Sequence, residues 1–411
     1  MSEALSNVAI MVDVGKLPVE KAVARLIDHS VKIGASDLFL LSNEQHVAAQ
    51  VKHLGTTRTI SIIPSDVGRK CLAHVKAAAG MDLSEKRRPL DGRWIYDPEE
   101  GEIVDLRINQ IPTMYGEDLA MRLLVRGGHL FNIENLGMNK DQLNKLENML
   151  ESPSGLILVS GPTGSGKTAT LYASLVKLND GKRKINTIED PIEYSVDGLR
   201  QSQIHPAINL GWPELLKSVL RQSPDVIMIG EVRDPDTADI AVRAANSGHL
   251  VFATIHSATA AGAVQSMKAL GSNPHFLSTG LRGVVAQRLV RTFCPKCKIA
   301  FDLSDAPDTF EEIKSLLAPG EGHTLYAPKG CDACNHLGYS GRSGVFETMT
   351  VGKSIRNLIA EGRPAREVHD QAIKEGMVDF RRGALLKVAQ GLTSTEEVFR
   401  VIPTEHLLLD D

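Results

Sequence analysis

The sequence predicts an α/β protein: a parallel sheet covered by helices, preceded by a smaller α+β domain. Three observations carry that expectation. Four apolar runs, "SGLILVSG", "KINTIED", "PDVIMIGE" and "GHLVFATIH", alternate with helical pattern, as strands buried on both faces do. The first run feeds a glycine-rich turn that opens a helix, "TATLYASLVKL". Upstream, short strand-like stretches are punctuated by Gly, Pro and Asp.

In chain order, "VEKAVARLIDHSVKIGA" places Val23, Leu26 and Ile27 on one helical face. Strand-like "SDLFLL", "TRTISII", "GRWIYD" and "GEIVDLRIN" follow. These give an N-terminal α+β domain over 1–127. Linker composition in "RGGHLFNIENLG" sets a boundary at 128–135. The larger domain then occupies 136–411. It includes a four-cysteine element at 292–345 and a mostly helical part at 346–411, with helical "KSIRNLIAEG", "AREVHDQAIKEG" and "STEEVFRVI".

A length of 411 residues suits two or three domains. Aromatics make up only 4% of the chain, so aliphatic residues must build the core. A formal charge of −4 gives no general attraction to nucleic acid or anionic lipid, either of which would need a local basic patch, and no nucleic-acid partner is expected. Residues Met1 to Lys16 lack the layout of a secretory leader. No apolar run approaches the length of a membrane span. A cytoplasmic chain is expected, with its five cysteines as thiols or metal ligands.

"GPTGSGKT" places Gly161, Pro162, Thr163, Gly164, Ser165, Gly166, Lys167 and Thr168 in a G-x-x-x-x-G-K-[ST] pattern. Glycines let successive backbone N–H groups face phosphate oxygens, and the helix N-terminus adds positive potential. Lys167 would reach the outer phosphates of ATP, and the Thr168 hydroxyl would ligate Mg2+. Hydrolysis also needs a carboxylate at the attacking water. Glu231 stands at the end of "PDVIMIGE", and Glu189, Asp190 and Glu193 follow "INTI". Each of these clusters could equally be a cap or a solvated turn. His249 and His256 bracket "LVFATI" and gain no role from residue type alone.

Cys294 and Cys297 form one C-x-x-C, and Cys331 and Cys334 form another. Two such knuckles complete a tetrahedral Zn2+ site in a reducing compartment, the alternatives being a redox disulfide or free thiols. Four thiolates leave no open position, so a structural role is expected. His336 reads as a surface residue and Cys71 as buried filler.

Taken in order, "GPTGSGKTATLY", "TIEDPIEY", "LRQSPDVIMIGEVRD" and "SGHLVFATIHSATA" resemble four motifs of the secretion ATPase superfamily. Its members power type II secretion and type IV pilus assembly. The resemblance runs from Pro18 to Ile402. It implies a RecA-like P-loop core, a PAS-like N-terminal domain and a hexameric motor at the cytoplasmic face of the inner membrane, acting on a membrane platform protein.

For single residues, it implies that Glu231 activates water and that Glu189, Asp190 and Glu193 organise Mg2+ and water. His256, and less firmly His249, would sense the γ-phosphate or a subunit interface. Arg93 and Arg107 would reach the nucleotide from the N-terminal domain, with Arg122 a weaker third. The cysteine pairs resemble the element of assembly-type motors that retraction motors generally lack. A retraction motor is the alternative reading, and a nucleic-acid translocase a more distant one.

Departures are Gly230 in place of the usual acidic residue, Ala258 in place of an amide, and "GASDLF" without its histidine. The additional N-terminal docking domain of longer members is expected to be absent.

Overall fold

In the N-terminal half, the helix Val19–Lys32 forms where Ala22, Val23, Leu26 and Ile27 share one buried face. With the helix Ser65–Ala78 it builds a core on one side of an antiparallel sheet. The strands are β1 (Asp37–Ser42), β2 (His46–His53), β3 (Thr56–Pro64), β4 (Leu90–Tyr96), β5 (Val104–Thr113) and β6 (Gly116–Val125). Their spatial order is β3-β2-β1-β6-β5-β4. Strand alternation sends Leu106 and Ile108 into the core and turns Arg107 to the opposite face. Strand β2, strand β6 and the second helix were not marked by any motif above.

The computed structural model describes residues 12–125 and 131–407. The start of the expected linker, 128–130, lies outside them, as do residues 126–127 and the two ends, 1–11 and 408–411. Two compact units emerge, Met1–His129 and Leu130–Asp411. The rest of the expected linker packs on the second unit. Phe131 meets the rings of Tyr172 and Tyr194 at 5.2 Å, and Ile133 is buried. Lys387, itself buried, donates its Nζ to the Gly137 carbonyl. Apolar side chains amid glycines therefore extend the core backwards.

The second unit is built on β7 (Gly155–Ser160), β8 (Ile185–Glu189), β9 (Arg200–Gln203), β10 (Val226–Ile229), β11 (Leu250–Ile255), β12 (Leu281–Phe293) and β15 (Tyr339–Thr350). Their order is β15-β12-β7-β11-β10-β8-β9. All neighbours run parallel except β12 and β15. A separate hairpin, β13 (Lys298–Asp302) with β14 (Thr324–Pro328), lies between those two.

Both faces of the central strands are covered, which is why they read as unbroken apolar runs. Leu156, Leu158, Ile188, Ile227 and Val251 enter one core. Ile157, Val159, Ile185, Met228 and Phe252 enter the other, beneath the helix Lys167–Leu178. This is the α/β, RecA-like architecture the sequence predicts.

One boundary differs. The helical part expected from 346 begins at Lys353, because β15 continues to Thr350. The first half of β15 is mostly Gly and Ser, and its strand character comes from pairing with β12.

Candidate functional site

Strand β7 ends at Ser160, and the chain turns at once into the glycine-rich loop. Gly161 has φ 146°, and a Cβ there would lie 2.5 Å from the Gln287 carbonyl oxygen. Gly166, at φ 93°, starts the helix Lys167–Leu178. Only glycine takes both the left-handed backbone and the close approach. The Lys167 Nζ folds back onto the carbonyls of Gly161 and Pro162, at 2.7 and 3.1 Å. Burial and the nearby Arg288 charge pull its pKa below the ordinary lysine value, while Glu231 pulls the other way. Thr168 is exposed on the first turn.

Gln287 of β12 clamps this loop from the side. Its Nε2 donates to the Ser165 carbonyl at 2.9 Å, and its Oε1 accepts from Thr170 Oγ1 at 2.8 Å. Sequence reasoning missed it, since a glutamine within "VVAQRLV" carries no motif signal.

Strand β10 delivers Glu231 to the same end of the sheet. Its Oε2 pairs with Arg233 Nη2 at 2.6 Å and its Oε1 with His256 Nε2 at 3.0 Å. Partial burial works against the carboxylate, but Arg233, His256 and Lys167 outweigh it and hold its pKa below the usual glutamate range. Glu231 is therefore an anion with 16% of its side chain exposed, able to accept a hydrogen bond from water. Arg233 also feels the charge of Asp190. It too was missed, although it stands two residues past Glu231. Gly230 has its own cause: a Cβ there would sit 3.1 Å from the Trp212 ring and 3.2 Å from the Ile188 carbonyl oxygen.

Glu189 has a different setting. It is 4% exposed, and both oxygens are used. Oε2 accepts from the Tyr172 hydroxyl at 2.6 Å. Oε1 accepts from Thr187 Oγ1 at 2.6 Å and Gln201 Nε2 at 3.1 Å. Burial and the Glu189 charge keep the Tyr172 phenol protonated. Asp190 is exposed and Glu193 half-buried in the turn beyond.

His249 and His256 are separated by the whole of β11, about 20 Å for a strand of this length. His256 joins Glu231 at the end of the sheet that carries the glycine-rich loop. At the opposite end of the strand, His249 sets its Nδ1 3.1 Å from the Ala244 carbonyl oxygen. Of these two histidines, His256 is the one that meets Glu231.

In the first unit, Arg93, Arg107 and Arg122 are consecutive cross-strand partners on β4, β5 and β6. Arg122 pairs in turn with Asp37 on β1. Arg93 is held by Asp105 through two contacts, at 2.8 and 2.5 Å. The three arginines thus share the sheet face turned away from the helices.

The four cysteines lie between β12 and β15. Their sulfurs are all within 4.8 Å of one another, with separations of 4.0, 3.8 and 3.8 Å for Cys294–Cys331, Cys297–Cys334 and Cys331–Cys334. Tetrahedral zinc with bonds of about 2.3 Å requires sulfurs about 3.8 Å apart. Burial disfavours the Cys334 thiolate, but N–H groups of Cys331 and Gly338 donate to it and bring its pKa to about 7. The donor set fits zinc.

The family model described as Type II/IV secretion system protein matches residues 13–400. The chain belongs to that family. Type II secretion system ATPase E of Vibrio cholerae serotype O1 is 39% identical over 386 residues, 93% of this chain and 75% of that protein. Type IV pilus assembly ATPase PilB of Thermus thermophilus is 37% identical over 380 residues, 92% of this chain and 42% of that one. Among solved structures, the Legionella pneumophila ATPase DotB superposes with a TM-score of 0.73, at 19% identity and covering 95% and 98% of the two chains. That last likeness concerns the fold. Among the described residues, no helix of this secretion-family chain is long and apolar enough to cross a membrane.

Proposed function

We propose that the chain is the ATP-hydrolysing motor of a type II secretion or type IV pilus assembly machine, working as a homo-hexamer. The observation that carries this is the convergence of Lys167, Glu231 and His256 at one end of a parallel sheet, in a family whose relatives include secretion and pilus assembly ATPases. The phosphate loop, Gly161 to Thr168, binds the triphosphate of ATP, and Lys167 leaves its backbone carbonyls to meet the outer phosphates. Glu231, held as an anion, orients the attacking water, and Arg233 and His256 fix its two oxygens. Thr168 would hold Mg2+, which neutralises charge between the outer phosphates when bound. Asp190, whose charge Arg233 feels, and Glu193 lie in the turn after β8 and would order water. Glu189 supports them through Tyr172. Arg93 and Arg107 would add cations toward the phosphates.

Cys294, Cys297, Cys331 and Cys334 would hold Zn2+ as a structural ion. The element favours an assembly motor over a retraction motor. A peripheral place at the cytoplasmic face of the inner membrane, against a platform protein, follows from this reading.

The decisive experiment measures ATP binding and turnover in the intact chain. Wild type is expected to hydrolyse ATP. Lys167→Ala is expected to weaken ATP binding by roughly a hundredfold, the scale of a lost buried charge partner. Undiminished binding in that variant overturns the loop assignment.

A further inference from the structure

Strand β12 contributes two neighbouring residues to two different walls of the site. Consecutive strand residues point to opposite faces. Gln287 turns to the phosphate loop, as described. Arg288 turns to the other face and is almost fully buried there. Its Nη2 donates to the Ala258 carbonyl at 3.0 Å, in the loop that follows His256. Its guanidinium lies 5.0 Å from the centre of the Phe380 ring, at the start of the helix Phe380–Ala389.

Glu347 on β15 repeats that bridge. It pairs in register with Ala286, two residues before Arg288, and so occupies the same face. It is 2% exposed. Its Oε2 accepts from the Ala260 N–H at 2.8 Å and its Oε1 from the Phe380 N–H at 3.4 Å. One buried carboxylate therefore meets the first turns of two helices, Ala260–Ala269 and Phe380–Ala389. A carboxylate at a helix N-terminus is stabilising, since orphan N–H groups and the helix dipole point at it. Here it also ties the two helices together. Buried polar side chains hydrogen-bonded at several points resist displacement of any one partner.

We propose that Arg288 and Glu347 are positioning residues: they hold the 256–260 loop so that His256 stays on Glu231, and they hand any movement of that loop to the helix Phe380–Ala389. The inference rests on the ATPase reading above. Neither residue touches Glu231 or the phosphate loop through a side-chain bond. Their effect passes through Ala258 and Ala260 on one side and Phe380 on the other. A γ-phosphate arriving at or leaving His256 would then shift the start of a helix in the C-terminal part.

The test uses the full chain with two readouts. In wild type, hydrogen exchange of the Phe380–Ala389 amides is expected to differ between ADP and a non-hydrolysable ATP analogue. Arg288→Met keeps an unbranched apolar stem but removes the guanidinium that donates to Ala258. It should lower kcat about tenfold, as small misplacements of site groups do, and leave KM for ATP within about twofold. The nucleotide-dependent difference at Phe380–Ala389 should vanish, while the phosphate-loop helix keeps its own. Glu347→Gln should show the same pattern. Arg288→Lys, which keeps a donor, should restore part of both signals and serves if the methionine variant does not fold.

Wild-type kcat and wild-type exchange differences in Arg288→Met and Glu347→Gln overturn the proposal. So does a wild type that turns over ATP with no exchange difference at Phe380–Ala389, or a change confined to KM. Absence of ATP turnover in wild type is a separate outcome and sinks the ATPase reading instead.

Discussion

Two glutamates stand at corresponding places in this fold, each at or just past the end of a buried parallel strand, on neighbouring β8 and β10. Glu189 is sealed, with its oxygens taken up by Tyr172, Thr187 and Gln201. Glu231 is open, its oxygens shared between Arg233 and His256. The difference comes from where each chain leaves the sheet. Glu189 is still the last residue of its strand, on the face covered by the helix Lys167–Leu178. Glu231 follows β10 by two residues, beyond Gly230, and has turned out of the sheet. A carboxylate's position in a motif therefore does not fix its job. Its last one or two residues of strand do.

The contrast predicts opposite phenotypes. Glu231→Gln should cut ATP turnover by about a hundredfold or more, the range for a lost acid–base group, with little change in melting temperature. Glu189→Gln should instead cost about 1–3 kcal/mol of stability, since an amide cannot accept from all three donors. Urea unfolding with parallel ATPase assays separates the two. Equal loss of activity with equal stability in both variants would erase the distinction.

The cysteine element gives a control distant from both glutamates. Replacing Cys294 and Cys331 with serine should abolish stoichiometric zinc, measured by metal analysis, and lower the melting temperature by about several degrees. ATP binding should persist. A metal-free native protein would break the tetrahedral argument.

The histidines give the smallest expected effects and the sharpest pair. His256→Ala should slow turnover about tenfold by freeing one oxygen of Glu231. His249→Ala should leave turnover within about twofold and cost less than about 1 kcal/mol. Pronounced loss of activity from His249→Ala, seen only in the oligomer, would return that residue to a site shared between subunits.

Much of this was legible in the sequence, for identifiable reasons. The four central strands are buried on both faces, so their apolar runs are unbroken. The loop 161–168 depends on glycines whose backbone angles no other residue takes readily. What was not legible depends on partners far away in the chain. Gln287 matters because Ser165 and Thr170 lie beside it. Gly230 is fixed by the Trp212 ring. The separation of His249 from His256 follows from strand length and was in principle countable. The extent of β15 was hidden because Tyr339 to Gly344 become strand only by pairing with β12.

The place of the cysteines has a consequence for the strands themselves. Cys294 follows the last residue of β12 directly, and its N–H bonds to the Gly338 carbonyl, just before β15 begins. A metal clip there would close the insertion at its neck. The entropy of a long loop is then settled at the neck, and its length matters little to the sheet. Such a clip would also stop β15 from sliding along β12. A slip of one residue would turn Glu347 to the wrong face. An ion far from the phosphates would thereby act as a stop on strand register, and keep Gln287 and Arg288 aimed at their separate walls.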